Sequence, residues 1–115
     1  MTAQDSLLTA YKNAAERHGK YTQSSNSAKA NTAYYELRSI LKKLRCQPDR
    51  GESFLTELLQ NHNIAVATWA ATHLLPIHEE MAVKKLKFLA AGDDLIAFDA
   101  EIVLDEWRSG RLVID

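Results

Sequence analysis

The chain is poor in residues that break helices, staple folds or span membranes. Four glycines and two prolines occur in 115 residues, too few to punctuate the many turns of a β sandwich. The single cysteine, Cys46, has no internal partner for a disulfide, which fits a reducing compartment. A structural zinc site would want several thiolates, and only one thiol exists. No apolar run approaches the ~20 residues of a membrane helix. The opening "MTAQDSLLTAYK" lacks a basic segment followed by an apolar one, so no secretory signal is expected and the cytoplasm is the expected location. A net charge of −1 gives no overall attraction to nucleic acid. No glycine-rich phosphate loop or helix-turn-helix signature is seen.

What is present points to helices. Apolar residues make up 46% and charged residues 25%, a globular composition in which alanine and leucine are prominent. The length suits one domain over residues 1–115 that buries its own core. Charge is unevenly placed. From Lys29 to Arg50, six basic residues (Lys29, Arg38, Lys42, Lys43, Arg45 and Arg50) face only Glu36 and Asp49. Asp93, Asp94, Asp99, Glu101, Asp105, Glu106 and Asp115 face only Arg108 and Arg111 at the end. Two solvated helix faces account for this most simply. Self-association or a charged partner is the sharper alternative.

Apolar spacing predicts six helices. The first runs from Gln4 to His18, capped by Asp5 or Ser6 and stopped at Gly19. Leu7, Tyr11, Ala14, Ala15 and His18 share its apolar face, and a cationic His18 would suit the dipole in the last turn. "KYTQSSNSA" reads as a loop. The second helix starts at a Ser27 or Asn26 cap and ends near Cys46, with Ala30, Ala33, Tyr34, Leu37, Ile40, Leu41 and Leu44 on one face. Pro48 and Gly51 break the chain. The third covers Glu52 to Gln60. The fourth runs from an Asn63 cap to Leu75, is apolar nearly all round and is therefore central. Pro76 stops it. The fifth covers Ile77 to Ala90, burying Met81, Leu86 and Leu89. The sixth runs from an Asp93 or Asp94 cap to Ser109.

The last two helical pairs repeat at an offset of thirty residues. Leu58 and Leu59 match Phe88 and Leu89, Val66 and Ala67 match Ile96 and Ala97, Ala70 matches Ala100, Leu74 matches Leu104, and the cap Asn63 matches Asp93. The clearest repeat units span about residues 52–75 and 77–109. Small residues in the stripe let a second helix approach closely, and a unit that cannot bury its face alone stacks on its neighbour. This alternation resembles short HEAT-type α-solenoid repeats. "VATWAATHLLP" followed by "LAAGDDLIAFDAEIVLDEWRSGRL" looks more particularly like a family of small bacterial domains of unknown function. That resemblance covers Val66 to Leu112; the first sixty residues match only in helical character. It implies an all-α fold, with antiparallel hairpins in a right-handed HEAT-like superhelix, and it implies no catalytic residues.

Chemistry-bearing residues are few. His73 and His78 lie five apart and are followed by Glu79 and Glu80. The second histidine of an H-E-x-x-H zinc helix is missing, and Pro76 places the two imidazoles on different helices. No metal or cofactor is expected. Trp69 and His73, at i and i+4, stack on the flank of the fourth helix, where His73 can bond a terminal carbonyl. Asp99 lies between two apolar arcs of the sixth helix and needs donors. A neighbouring helix N-terminus, Trp69 or Thr68 would supply them. The outer arc, Leu95, Phe98 and Ile102, needs a cover. The tail from Leu112 to Ile114 or the first helix is the simplest cover, and a homodimer or partner interface the alternative. The basic second helix lacks the interleaved aromatics of a nucleic-acid platform, apart from Tyr35, and no histidine adjoins Cys46 to make it a nucleophile.

The expectation is a non-enzymatic protein-interaction module, bacterial and cytoplasmic. One version is antitoxin-like or immunity-like, blocking a partner through the acidic end at Asp105 and Glu106. The alternative is a small-ligand or enzymatic role in a groove lined by Trp69, His73 and Asp99.

Overall fold

The first helix starts where a reciprocal cap can close it. The Asp5 N–H donates to Thr2 Oγ1 at 3.1 Å, and the Thr2 N–H donates to Asp5 Oδ2 at 3.2 Å. The cap is therefore Thr2, not Asp5 or Ser6. The computed structural model describes residues 2–114. Asp115, counted among the acids, lies outside them. Six helices are found: α1 Ala3–Gln23, α2 Ser27–Arg45, α3 Glu52–Leu58, α4 Ile64–Leu74, α5 Glu79–Ala90 and α6 Leu95–Arg108. No strand occurs among the described residues, so the chain is all-α.

Two boundaries differ from the sequence reading in an instructive way. α1 continues five residues beyond His18, through Gly19. A Cβ at Gly19 would sit 2.6 Å from the Cβ of Ala65. The glycine permits close approach to α4 and does not act as a stop. The chain turns later, at Ser25, whose φ of 60° is left-handed. α5 begins at Glu79 instead of Ile77, because the N–H groups of Ile77 and His78 both donate to the Leu74 carbonyl, at 2.9 and 2.7 Å. They finish α4 before α5 begins.

The remaining caps follow local chemistry. Asn26, Asn63 and Asp94 accept from backbone N–H groups in the first turns of α2, α4 and α6. Between α2 and α3, Gly51 has φ 86° and a Cβ there would lie 2.9 Å from the Leu44 Cβ. The Asp49 carboxylate accepts from the Gly51 and Ser53 N–H groups at 2.9 and 3.0 Å. Those bonds hold its pKa below the ordinary carboxylate value.

α4 is central, as its all-round apolar surface predicts. It packs against α1, α3, α5 and α6. The stripe residues Val66, Ala67, Ala70 and Leu74 are buried, as are their counterparts Ala97, Ala100 and Leu104. The repeat fails at its edges. Phe88, paired by sequence with buried Leu58, is exposed, and the cap of α6 is Asp94, thirty-one residues after Asn63. In α5 the fully buried residues are Ala82 and Leu86, with Met81 and Leu89 only partly buried. In addition to the contacts of successive hairpins, α1 packs on both α4 and α6. The radius of gyration, 13.2 Å, is close to the ~13 Å of a compact domain this long.

Candidate functional site

Where α1, α4 and α6 meet, a cavity of about 280 Å³ opens to solvent. His18, Gly19 and Thr22 of α1, Ala65, Thr68, Trp69 and Thr72 of α4, and Ile96, Asp99, Ile102 and Val103 of α6 line it. Each residue has a local reason to be there. Gly19 and Ala65 let α1 and α4 touch. His18 and Thr22 are one turn apart on α1, on either side of the glycine expected to end it. Trp69 and Asp99, equivalent by the thirty-residue repeat, both line the cavity.

His73 is not in this cavity. It lies on the other side of Trp69, its ring centroid 5.3 Å from the indole. The proposed set of Trp69, His73 and Asp99 is thus only partly assembled, and His18 takes the position given to His73. Its ring meets Trp69 edge to face, with centroids 5.0 Å apart. His73 is buried, and its Nδ1 shares a 2.7 Å hydrogen bond with the Tyr11 hydroxyl, so it does not bond a terminal carbonyl through its ring. Burial, reinforced by the nearby Arg45 charge, pushes its pKa down to about 3. Arg45 itself donates to the His73 carbonyl at 2.7 Å and to the Arg50 carbonyl at 3.0 Å, tying the end of α2 to α4.

Asp99 is half-buried and accepts no hydrogen bond among the described residues. The expected donors are engaged elsewhere or lie out of reach. The Thr68 hydroxyl donates to the Ile64 carbonyl at 2.7 Å, and the Thr72 hydroxyl donates to the Thr68 carbonyl at 2.8 Å. The group facing Asp99 electrostatically is His18. Burial raises the Asp99 pKa, and His18 partly offsets this. Burial lowers the His18 pKa, and Asp99 partly offsets that. His18 therefore lies in mid-helix and favours the neutral form, contrary to the helix-end cation expected from sequence. The two share no hydrogen bond, and the Thr68 and Thr72 protons are committed to the backbone. No base–nucleophile pair is assembled on this wall.

The outer arc of α6 is uncovered. Leu95, Phe98 and Ile102 are 50%, 59% and 38% exposed. The tail expected to cover them packs elsewhere. Leu112, Val113 and Ile114 close a second cleft, of about 380 Å³, against Tyr34, Trp69, His73 and Val103, and α1 reaches the cavity side of α6 instead. Asp105 is exposed and Glu106 half-buried on the same helix. Among the described residues, no group of three potential metal ligands is found and no helix is long and apolar enough to cross a membrane. No family model, curated protein or solved structure matches the chain.

Proposed function

We propose that the chain is a non-enzymatic interaction module that receives a basic, apolar-striped segment of a partner protein along α6. The observation that carries this reading is the exposed arc Leu95, Phe98 and Ile102. At 100° per residue it occupies one narrow strip of the helix. Glu101 and Asp105 rim one side of that strip, and Asp99 and Glu106 the other. An apolar stripe between acidic rails is complementary to an amphipathic helix with lysine or arginine beside its apolar face. A second copy pairing α6 on α6 would set acid against acid, so the homodimer through Leu95, Phe98 and Ile102 is the less favoured occupant. An antitoxin-like or immunity-like blocking role would act through this same face.

The test uses two synthetic amphipathic peptides with one apolar pattern, one lysine-flanked and one glutamate-flanked, titrated into isotopically labelled protein. The basic peptide is expected to shift amide resonances within residues 95–106 and to lose affinity with rising salt. The double variant Phe98→Asp/Ile102→Asp, and separately charge reversal at Asp105 and Glu106, should weaken it. Equal binding of both peptides, or binding mapped away from α6, would overturn the reading.

A further inference from the structure

The cavity between α1, α4 and α6 has a chemistry of its own. Its walls are apolar or threonine, apart from His18 and Asp99. Thr68 and Thr72 have spent their hydroxyl protons on backbone carbonyls, so toward the cavity they offer lone pairs only. Asp99 is a carboxylate without a hydrogen-bond donor among the described residues. Asp99 therefore lacks a donor, and the two threonine oxygens can still accept. Glu106, two turns further along α6, adds negative charge on the Asp99 side of the helix. An anion would meet repulsion here, and a neutral apolar group would leave the carboxylate unanswered. Trp69 supplies an aromatic wall, which favours a cation over a neutral group of the same shape. The volume, about 280 Å³, lies just below the usual range for small-molecule sites, which limits the occupant to a small group.

We propose that this cavity binds an ammonium group carried on a short apolar stem, with Asp99 as its counter-ion, the Thr68 and Thr72 oxygens as further acceptors and Trp69 beside the stem. The same chemistry could arrive as a free amine or as the side chain of a partner's lysine. The proposal does not rest on docking along the outer strip of α6. Phe98 takes no part in the cavity lining, whereas Ile102 does, so the site should survive Phe98→Asp, a substitution that puts a charge in the middle of the strip.

The probe is phenethylammonium, titrated into labelled protein carrying Phe98→Asp, with 2-phenylethanol as its neutral counterpart. Saturable shifts are expected at His18, Gly19, Thr68, Trp69, Thr72 and Asp99, including the Trp69 indole N–H. The alcohol should bind about ten- to a hundredfold more weakly, as expected for loss of a charged hydrogen bond. Asp99→Asn, close in shape, should weaken the amine by a similar factor while leaving the alcohol unchanged. Thr72→Val, which keeps the side-chain volume, should weaken the amine by a few-fold and serves if Asp99→Asn disturbs folding. A blocked lysine amide in a parallel titration distinguishes the sources. Binding of both amines admits a partner's side chain, and binding of phenethylammonium alone points to a free amine. The proposal is overturned if the ammonium gives no saturable shifts at these residues, if the alcohol binds equally well, or if Asp99→Asn leaves amine affinity intact.

Discussion

His73 is held neutral by the place it occupies. It is buried against Tyr11 and Trp69 with the Arg45 guanidinium nearby, and its pKa falls to about 3, against about 6.5 in an unfolded chain. Below pH 6.5 the unfolded chain therefore binds a proton that the folded one refuses. Stability from this residue is complete above about pH 6.5 and is lost progressively toward pH 3, on the order of 5 kcal/mol across the window. His18, also lowered by burial, acts in the same direction. Asp99, whose pKa is raised, acts in the opposite direction, since its folded form takes up a proton before the unfolded form does. Glu36, lowered chiefly by its hydrogen bond from Arg17, and Asp49 lose their contributions only in the carboxylate range. The urea midpoint is thus expected to fall between pH 7 and pH 5, before the lowered carboxylates titrate. His73→Gln, which can still hydrogen-bond Tyr11, should flatten most of that dependence; an unchanged slope would show the proton is taken up elsewhere. Gly19 makes a second residue-scale test. Alanine is better in a helix by ~1 kcal/mol, yet its Cβ would stand 2.6 Å from that of Ala65. Overpacking of that kind costs about 1–3 kcal/mol, so Gly19→Ala should lower the melting temperature, and a raised one would mean that the α1–α4 seam can open.

The tail is an element without regular structure, and its position decides what α6 exposes. Leu112 and Ile114 are partly buried against the core, where they close the cleft beside Trp69. A chain ending at Arg111 should lose about 1–3 kcal/mol by loss of that apolar burial. Its tryptophan emission should shift to the red as Trp69 becomes wetter. Emission and stability equal to those of the full chain would place the tail elsewhere. Much of this element-scale picture was legible in advance. The 3.6-residue spacing of Leu37, Ile40, Leu41 and Leu44 located α2, and the apolar circumference of α4 marked the centre. The thirty-residue offset paired Trp69 with Asp99, which do share a cavity. What was hidden depended on contacts between distant segments. Gly19 reads as a stop until Ala65 is placed against it, and a helix ended there makes His18 a helix-end cation. By spacing alone His73 is free to bond a terminal carbonyl, whereas the fold commits its ring to Tyr11, sixty-two residues earlier. Local spacing carries no information about which of two faces a tail will choose, so the uncovered arc of α6 emerged only in three dimensions.

At the scale of the whole molecule, the ends of the chain are held together. A stack of hairpins touching only its neighbours can lose repeats from one end. Here α1 packs on α4 and on α6 as well as on α2, and the hydrogen bond between Tyr11 and His73 and the contact of Gly19 with Ala65 lie on that closure. α6 cannot come away without exposing the α1 surface it covers, and α1 cannot leave without opening the buried face of α4. The structure should therefore unfold as one cooperative unit. The two tryptophans report on different parts of it, Trp69 on α4 and Trp107 on α6. In urea, single-tryptophan variants carrying Trp107→Phe or Trp69→Phe should each show a fluorescence transition that coincides with the loss of helical circular dichroism measured on the same variant. A Trp107 transition that precedes loss of the remaining helix would show that α6 detaches on its own and that its contact with α1 contributes little. Coincident transitions would mean that the acidic, apolar-striped face of α6 is presented from a rigid support, with little ordering cost left for binding.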